Sequence, residues 1–306
     1  MPTLKEIKGR IGSVQNTLKI TSAMKLVSSA KLHKAQAAIE NMRPYEAQLQ
    51  RILEQVGGGG KNASVPVMTD SDRPSPAVLI VAIASNSSLC GGFNANAIAK
   101  VKELLKTYPK ATVYSVGRKM ADAMRKAGYP SPADYSALSE HPAYGPADGL
   151  ASRLMEEVEE GRASTVFLVY NHFVSAARQV PTVEVLVSSA GENAFSSAKK
   201  IADATENAFS PANERTDSVI SNEDYILEPS AKEIRKRLFP KTIKLRLYAT
   251  LLDSAAAEHA ARTVAMQTAT DNGEDLLDEL TLQYNKGRQQ KITSEILDLA
   301  SGQQKQ

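Results

Sequence analysis

Two stretches carry residue types whose spacing invites a chemical reading. Gly57 to Gly60 followed by Lys61 looks like a phosphate cradle, in which backbone N–H groups and a lysine hold nucleotide phosphates. A Walker motif needs Gly at position 55 and Ser or Thr at 62; the chain has Gln55 and Asn62, so the run is not such a loop. The second stretch, SNSSLCGGFNAN, lies between an apolar run and a helical pattern, where a dinucleotide-binding turn would sit. Gly91 and Gly92 are adjacent and lack the G-x-G-x-x-G spacing, and no acidic residue ends the next strand to take a ribose. They read instead as a tight strand-to-helix turn with Cys90 buried beside it. An anion at the following helix N-terminus finds no support in the residues around it. Cys90 as a nucleophile would need a histidine and an acid, and His141, His172 and Asp122 form no convergent set with it. No catalytic residue, no cofactor site and no metal site is predicted.

The elements that would position these residues follow a regular grammar from Ala77 onward. AVLIVAIAS (77–85) is a continuous apolar run, as in a strand buried on both faces of a parallel sheet. A helical pattern, ANAIAKVKELLKTY, comes next, then a strand at 111–117, the helix RKMADAMRKAG, a Pro- and Tyr-rich loop and a helix near 147–160. Strands at 164–171 and 181–188 complete the series. Strands separated by helices of this length predict βαβ crossovers and a mostly parallel, Rossmann-like sheet with helices on its faces. Residues 189–221 are polar and read as one modest helix within a connection, and 224–230 as a strand closing on a turn.

Both ends of the chain are helical. In the first block Leu4, Ile7, Ile11, Val14 and Leu18, then Leu32, Ala35, Ile39, Met42, Leu49, Leu53 and Val56 recur at spacings of three and four. This is a heptad seam, with Thr21, Lys25, Ser28 and Glu46 as polar interruptions. The last block continues a thinner stripe through Leu245, Tyr248, Leu252, Ala255, Met266, Ala269, Gly273, Leu276 and Leu280, broken by His259 and Arg262. At about 1.5 Å per residue each block makes a rod of roughly 80 Å or more, which needs a partner to bury its stripe. Thr3 and Glu6 have the spacing of a capping box. Pro44 is expected to kink or divide the first helix, and Pro240 to bend the last. Gly273 and Gly287 are expected to soften that helix, each by roughly 1 kcal/mol relative to Ala.

The predicted fold class is therefore α/β: a long antiparallel coiled coil of N- and C-terminal helices with an inserted Rossmann-like, mostly parallel sheet domain. The expected divisions are a first helix at 1–56, a connector at 57–76, the sheet domain at 77–229 and a last helix at 230–306.

Composition narrows the function classes. The net charge is +3, with nine Lys/Arg against four Asp/Glu in residues 1–56 and twelve against ten in 230–306. That mild basic bias reads as a solvated helix face, and no basic cluster interleaved with aromatics points to nucleic acid. A single cysteine excludes an intrachain disulfide and fits a reducing compartment. The first residues, MPTLKEIKGR, have no signal-peptide core, and no run of eighteen apolar residues occurs.

Three motifs coincide with one family. NTLKITSAMKLVSSAKLHKAQ (16–36), SLCGGFNAN (88–96), and AAAEHAARTVAMQTATDN with YNKGRQQKITSEILDL near the end resemble the gamma subunit of F-type ATP synthases over essentially the whole chain. The resemblance implies a non-catalytic central-stalk rotor of a proton-translocating ATP synthase, carrying rotation from the membrane ring to the catalytic beta subunits. It implies as partners three alpha and three beta subunits around one copy of the chain, an epsilon subunit and the membrane c-ring, with no nucleic acid and membrane contact only through partners. The implied location is peripheral, on the cytoplasmic face of the bacterial inner membrane. Positions matching the family's collar contacts are Met24, Lys25, Arg262, Arg288, Gln289 and Thr293; Tyr225, Leu227 and Glu228 match the segment facing the membrane ring and epsilon. A shaft turning in a collar is expected to have a slim surface with few anchors, as Ser22, Ala23, Ser29 and Ala30 suggest. Two other classes fit the architecture less well: a soluble enzyme dimerised by its helical ends, and a coiled-coil tether with an α/β hinge.

Overall fold

Thr3 and Glu6 cap the first helix reciprocally. The Thr3 backbone N–H donates to Glu6 Oε2 at 2.9 Å and the Glu6 N–H donates to Thr3 Oγ1 at 3.3 Å, satisfying two donors that a helix start leaves open. From there α1 runs over Leu4–Val56. The structure, a computed structural model, describes residues 3–56, 77–188, 228 and 230–303. The expected connector at 57–76 and the helix expected within 189–221 lie outside these residues, and so does nearly all of the strand expected at 224–230. The chain divides into two compact units, Lys31–Ala261 and a second made of Met1–Ala30 with Arg262–Gln306.

In the first of these, the sheet unit, four strands are described: β1 (Ala77–Ile83), β2 (Thr112–Val116), β3 (Ala163–Phe173) and β4 (Gln179–Ser188). Their order is β2-β1-β3-β4. β1 pairs in parallel with β2 and β3, while β4 pairs antiparallel with β3. Parallel neighbours cannot be joined by a hairpin. The helices α2 (Phe93–Thr107), α3 (Arg118–Lys126), α4 (Ser136–Glu140) and α5 (Tyr144–Glu159) supply the crossovers. β3 and β4 are separated by so few residues that only an antiparallel hairpin can join them, which makes the sheet mixed at that edge. The short α4 within the Pro- and Tyr-rich loop is an addition to the elements read from sequence.

Period-two alternation divides the sheet's side chains between two cores. Leu79, Val81 and Ile83 of β1 join Leu150 and Leu154 of α5 and, from the last helix α6 (Ala231–Gln303), Ile243, Leu247 and Leu251. Ile80 and Ala82 face the other way, onto Ala97 and Val101 of α2 and Met120 and Met124 of α3. α6 is continuous through Pro240, and α1 through Pro44, so neither proline ends its helix. Pro44 is exposed, which leaves the carbonyl one turn before it free to turn to water, while Met42, Glu46 and Leu49 stay packed.

The alanine run of α6 has a steric reason. Ala256 and Ala260 pack on Leu32 and Ala35 of α1, and Ala257 and Ala261 pack on Cys90 and Phe93, with Phe173 of β3 touching both groups. A helix enclosed on several sides is apolar nearly all round, and small side chains let its neighbours approach closely.

Candidate functional site

In the helical-pair unit, the seam residues of α1 are those its spacing predicts. Ile7, Thr21 and Ser28 are buried, and Leu4, Ile11, Val14, Leu18 and Lys25 are half-buried, while the positions between them are mostly exposed. The partner stripe on α6 is Met266, Thr270, Gly273, Leu277, Leu280, Tyr284 and Gly287, alternating four and three. Leu276, read from sequence as a seam residue, is 44% exposed, and Leu277 takes its place.

Three contacts fix direction and register. Thr270 Oγ1 donates to Thr21 Oγ1 at 3.0 Å. A Cβ on Gly273 would lie 2.7 Å from Leu18 Cδ2, and one on Gly287 would lie 3.1 Å from Leu4 Cδ2. Residue numbers fall along α1 as they rise along α6, so the helices are antiparallel. Leu4 and Leu18 are two heptads apart, as are Gly273 and Gly287, which repeats one knob-into-hole contact. The glycines are therefore sockets for leucines rather than soft points, a correction to the expectation drawn from helix propensity.

Leu4 is the first residue of α1 and faces Gly287, so residues 288–303 of α6 continue past the end of their partner. Side chains are exposed throughout 288–297, including Ile292, Ile296 and Leu297. Arg288, Gln289 and Thr293 stand on this single helix, and the Thr293 hydroxyl turns back to donate to the Gln289 carbonyl at 2.9 Å. Met24 and Lys25 are half-buried at the seam of α1. Arg262 is only 7% exposed, an inward position for a cation. Tyr225 and Leu227 lie outside the described residues; Glu228 is exposed.

The unit's surface differs from the slim, anchor-poor rod expected of it. Leu26 and Leu282 are each 70% exposed, and Ile20, Val27 and Val264 are exposed with them. Sequence reasoning missed these because it followed the seam; the signal was a set of large apolar residues off the heptad positions. Single exposed apolar side chains are ordinary; here several large ones lie uncovered on the same helical pair.

The strand-to-helix turn holds its own polar groups. Cys90 is 2% exposed, and its Sγ accepts from Asn94 Nδ2 at 3.1 Å. Asn94 Oδ1 accepts from the Ser85 N–H at 3.0 Å, and Asn171 Nδ2 donates to the Phe93 carbonyl at 2.9 Å. Gly91 has φ +57° and Leu89 φ +67°, the left-handed conformations that fold the turn back on itself. Gly117 closes on the same place: a Cβ there would meet the Ala84 carbonyl oxygen at 2.0 Å.

His172 does not approach Cys90 as a base. Its Nδ1 lies 2.5 Å from Asp253 Oδ2 on α6, and the other Asp253 oxygen accepts from the Phe173 N–H at 3.2 Å. That hydrogen bond to Asp253 raises the imidazole pKa above its ordinary value, against the opposing effect of burial. The pair joins the end of β3 to α6. Among the described residues no three His, Cys, Asp or Glu side chains are grouped to hold a metal ion, and no helix is long and apolar enough to cross a membrane.

Comparison with known proteins agrees with this geometry. The family model described as ATP synthase matches residues 3–304. The chain is 44% identical to the ATP synthase gamma chain of Phocaeicola vulgatus, over 99% of both chains. It is 38% identical to that of Flavobacterium johnsoniae, over 99% of this chain and 98% of the other. Among solved structures, a chain of the Euglena gracilis mitochondrial ATP synthase OSCP/F1/c-ring assembly shares its fold with a TM-score of 0.66, at 20% identity, covering 98% of this chain and 93% of that one. A chain of the Tetrahymena thermophila central stalk and c-ring gives 0.54 at 24% identity, covering 82% and 99%.

Proposed function

The chain belongs to the family of ATP synthase gamma chains, the central stalk of that rotary enzyme, and we propose that it does this work through two surfaces: the exposed apolar and polar residues of the helical pair, and the outer face of the sheet unit. It is a non-catalytic subunit, and the chemistry of ATP belongs to its neighbours.

The observation that carries this reading is the unequal length of the paired helices. α1 supplies stiffness as far as Leu4, and residues 288–303 of α6 continue beyond it, with Ile292, Ile296 and Leu297 uncovered. A lone helical end of this kind is marginal in water and becomes stable by docking against something else. A collar of three alpha and three beta subunits supplies that cover. Met24, Lys25, Arg288, Gln289 and Thr293 are the polar and flexible contacts that would form and break as the pair turns, while Arg262 is buried within this chain. Because the two helices differ at every level, the surface they present to three-fold repeated neighbours is asymmetric. Rotation then presses each beta subunit in turn through its nucleotide states.

On this reading the sheet unit faces the epsilon subunit and the membrane ring, with Tyr225, Leu227 and Glu228 on the facing segment. The protein associates peripherally with the membrane through these partners, on the cytoplasmic face of the inner membrane, and proton flow through the ring drives it. The test is assembly of the source organism's alpha and beta subunits with and without this chain. A complex of three alpha, three beta and one copy of the chain, with steady MgATP hydrolysis that the mixture lacking it does not sustain, is the expected result. Separate elution with unchanged hydrolysis would refute the assignment.

A further inference from the structure

Within the sheet unit, α6 is joined to its surroundings by directional bonds as well as by apolar packing. Arg246 Nη1 donates to Glu46 Oε1 of α1 at 2.8 Å, and Nη2 donates to Glu184 Oε2 of β4 at 2.7 Å. The second Glu184 oxygen accepts from the Tyr170 hydroxyl of β3 at 2.7 Å. One heptad further along the same face of α6, Asp253 holds His172 and the backbone of Phe173. The Tyr170 and His172 rings meet edge to face with centroids 6.5 Å apart.

These groups are not ordinary surface pairs. The Arg246 side chain is 37% exposed, against 17% for Glu46 and 24% for Glu184. Burial works against the Arg246 charge, but the Glu184 and Glu46 carboxylates outweigh it and hold the guanidinium charged. Burial and the Glu184 carboxylate keep the Tyr170 phenol protonated, so it remains a donor.

The kind of bond matters for a part under load. Apolar side chains in contact slide past one another with little change in buried area, because the hydrophobic effect has no direction. A charge-assisted hydrogen bond weakens steeply once its angle or length departs from the optimum. Turning the sheet about the α6 axis shears the Arg246–Glu184 link, and turning α1 about α6 shears the Arg246–Glu46 link.

We propose that Arg246 is a positioning residue for rotary coupling: by bonding Glu184 of the sheet and Glu46 of α1 at once, it locks the sheet to both long helices, so that a turn applied to the sheet passes to the helices without slip. This rests on the rotor reading above and adds the place where torque crosses from one element to the next.

The test uses the assembled complex of alpha, beta and this chain, held by its collar, with a bead attached through a cysteine introduced at the exposed Lys110. Rotation of the unmodified complex on ATP establishes the rotor reading by itself; a bead that never turns would refute that reading instead. Arg246→Met is then expected to widen the angular variance of the paused bead by on the order of twofold, because it removes hydrogen bonds about twice as strong as neutral ones. Hydrolysis by the complex stays near the parent rate. The triple variant Glu46→Gln, Glu184→Gln, Arg246→Met also removes the stranded carboxylates, so its thermal stability recovers. Its variance is expected to remain wide, and it carries the test should Arg246→Met fail to assemble. A triple variant with the parent's variance would show that Arg246 serves folding alone and would overturn the proposal.

Discussion

Leu18 fills the space where a side chain at position 273 would stand: a Cβ on Gly273 would lie 2.7 Å from Leu18 Cδ2 and 3.3 Å from its Cγ. Two heptads away, Leu4 approaches Gly287 less closely, at 3.1 Å. The two contacts give the antiparallel pair its register, and their difference gives a prediction. Gly273→Ala gains roughly 1 kcal/mol of helix propensity and loses about 1–3 kcal/mol to overpacking. It is expected to lower stability slightly, and Gly287→Ala to leave it unchanged or raise it. Combining Gly273→Ala with Leu18→Ala makes room for the new methyl, so denaturant unfolding of the two single variants and the double variant should give a coupling energy above about 0.5 kcal/mol. Additive effects would place Leu18 elsewhere.

Among the described residues, Leu4 at the start of α1 already faces Gly287, and the α6 side chains at 288–297 are exposed. Ending the chain after Gly287 is therefore expected to change the stability of the remaining fold by less than about 0.5 kcal/mol, as for surface changes generally. ATP-driven ion pumping by vesicles carrying the truncated complex should fall several-fold. Melting curves of the free chain and pumping assays read the two effects separately, and a large loss of melting temperature would contradict the described pairing.

The exposed apolar residues of α1 give a third expectation. Changing Leu26 and Val27 together to Ser removes two uncovered side chains at little cost to the free chain. Burying a Leu or Val contributes about 1.5–3 kcal/mol, so affinity for the alpha and beta subunits should drop at least about tenfold. Equal affinity would mean that the collar does not cover this face.

The His172–Asp253 pair gives a pH dependence. Asp253 raises the imidazole pKa above the ordinary 6.5, so the folded chain binds the proton more tightly than the unfolded chain. The pair's contribution is fully present below the unfolded value and is lost as pH rises through the folded one. The groups facing His172 are Asp253, Tyr170 and Glu184, with Arg246 beyond Glu184. The melting-temperature difference between the parent and His172→Gln should be largest at mildly acidic pH and shrink toward mildly alkaline pH. A difference that grows with pH would reverse the assignment.

Much of this architecture was legible in the residues because it is written locally. The capping box of Thr3 and Glu6, the spacing of Leu4, Ile7, Ile11 and Leu18, and the apolar run of β1 each specify their element within a few positions. What escaped depends on partners far away in the chain. Helix propensity alone makes Gly273 a defect; Leu18 of the facing helix makes it a socket. Leu276 and Leu277 differ by one position, and only the facing helix decides which of them is buried. Pro44 is tolerated because its ring faces outward, which no local rule reports. The Arg246 junction joins residues 46, 170, 184 and 246, of which only Tyr170 and Glu184 share a hairpin; the rest are distant in sequence.

A stalk must turn inside its complex, and that rotation can be watched in single molecules. With the collar of alpha and beta subunits fixed to glass and a bead on the sheet unit at position 110, addition of MgATP should drive sustained rotation in one direction with three pauses per turn, matching three catalytic neighbours. A bead that stays still while the same complexes hydrolyse ATP at full rate would show that the chain is not the rotating stalk.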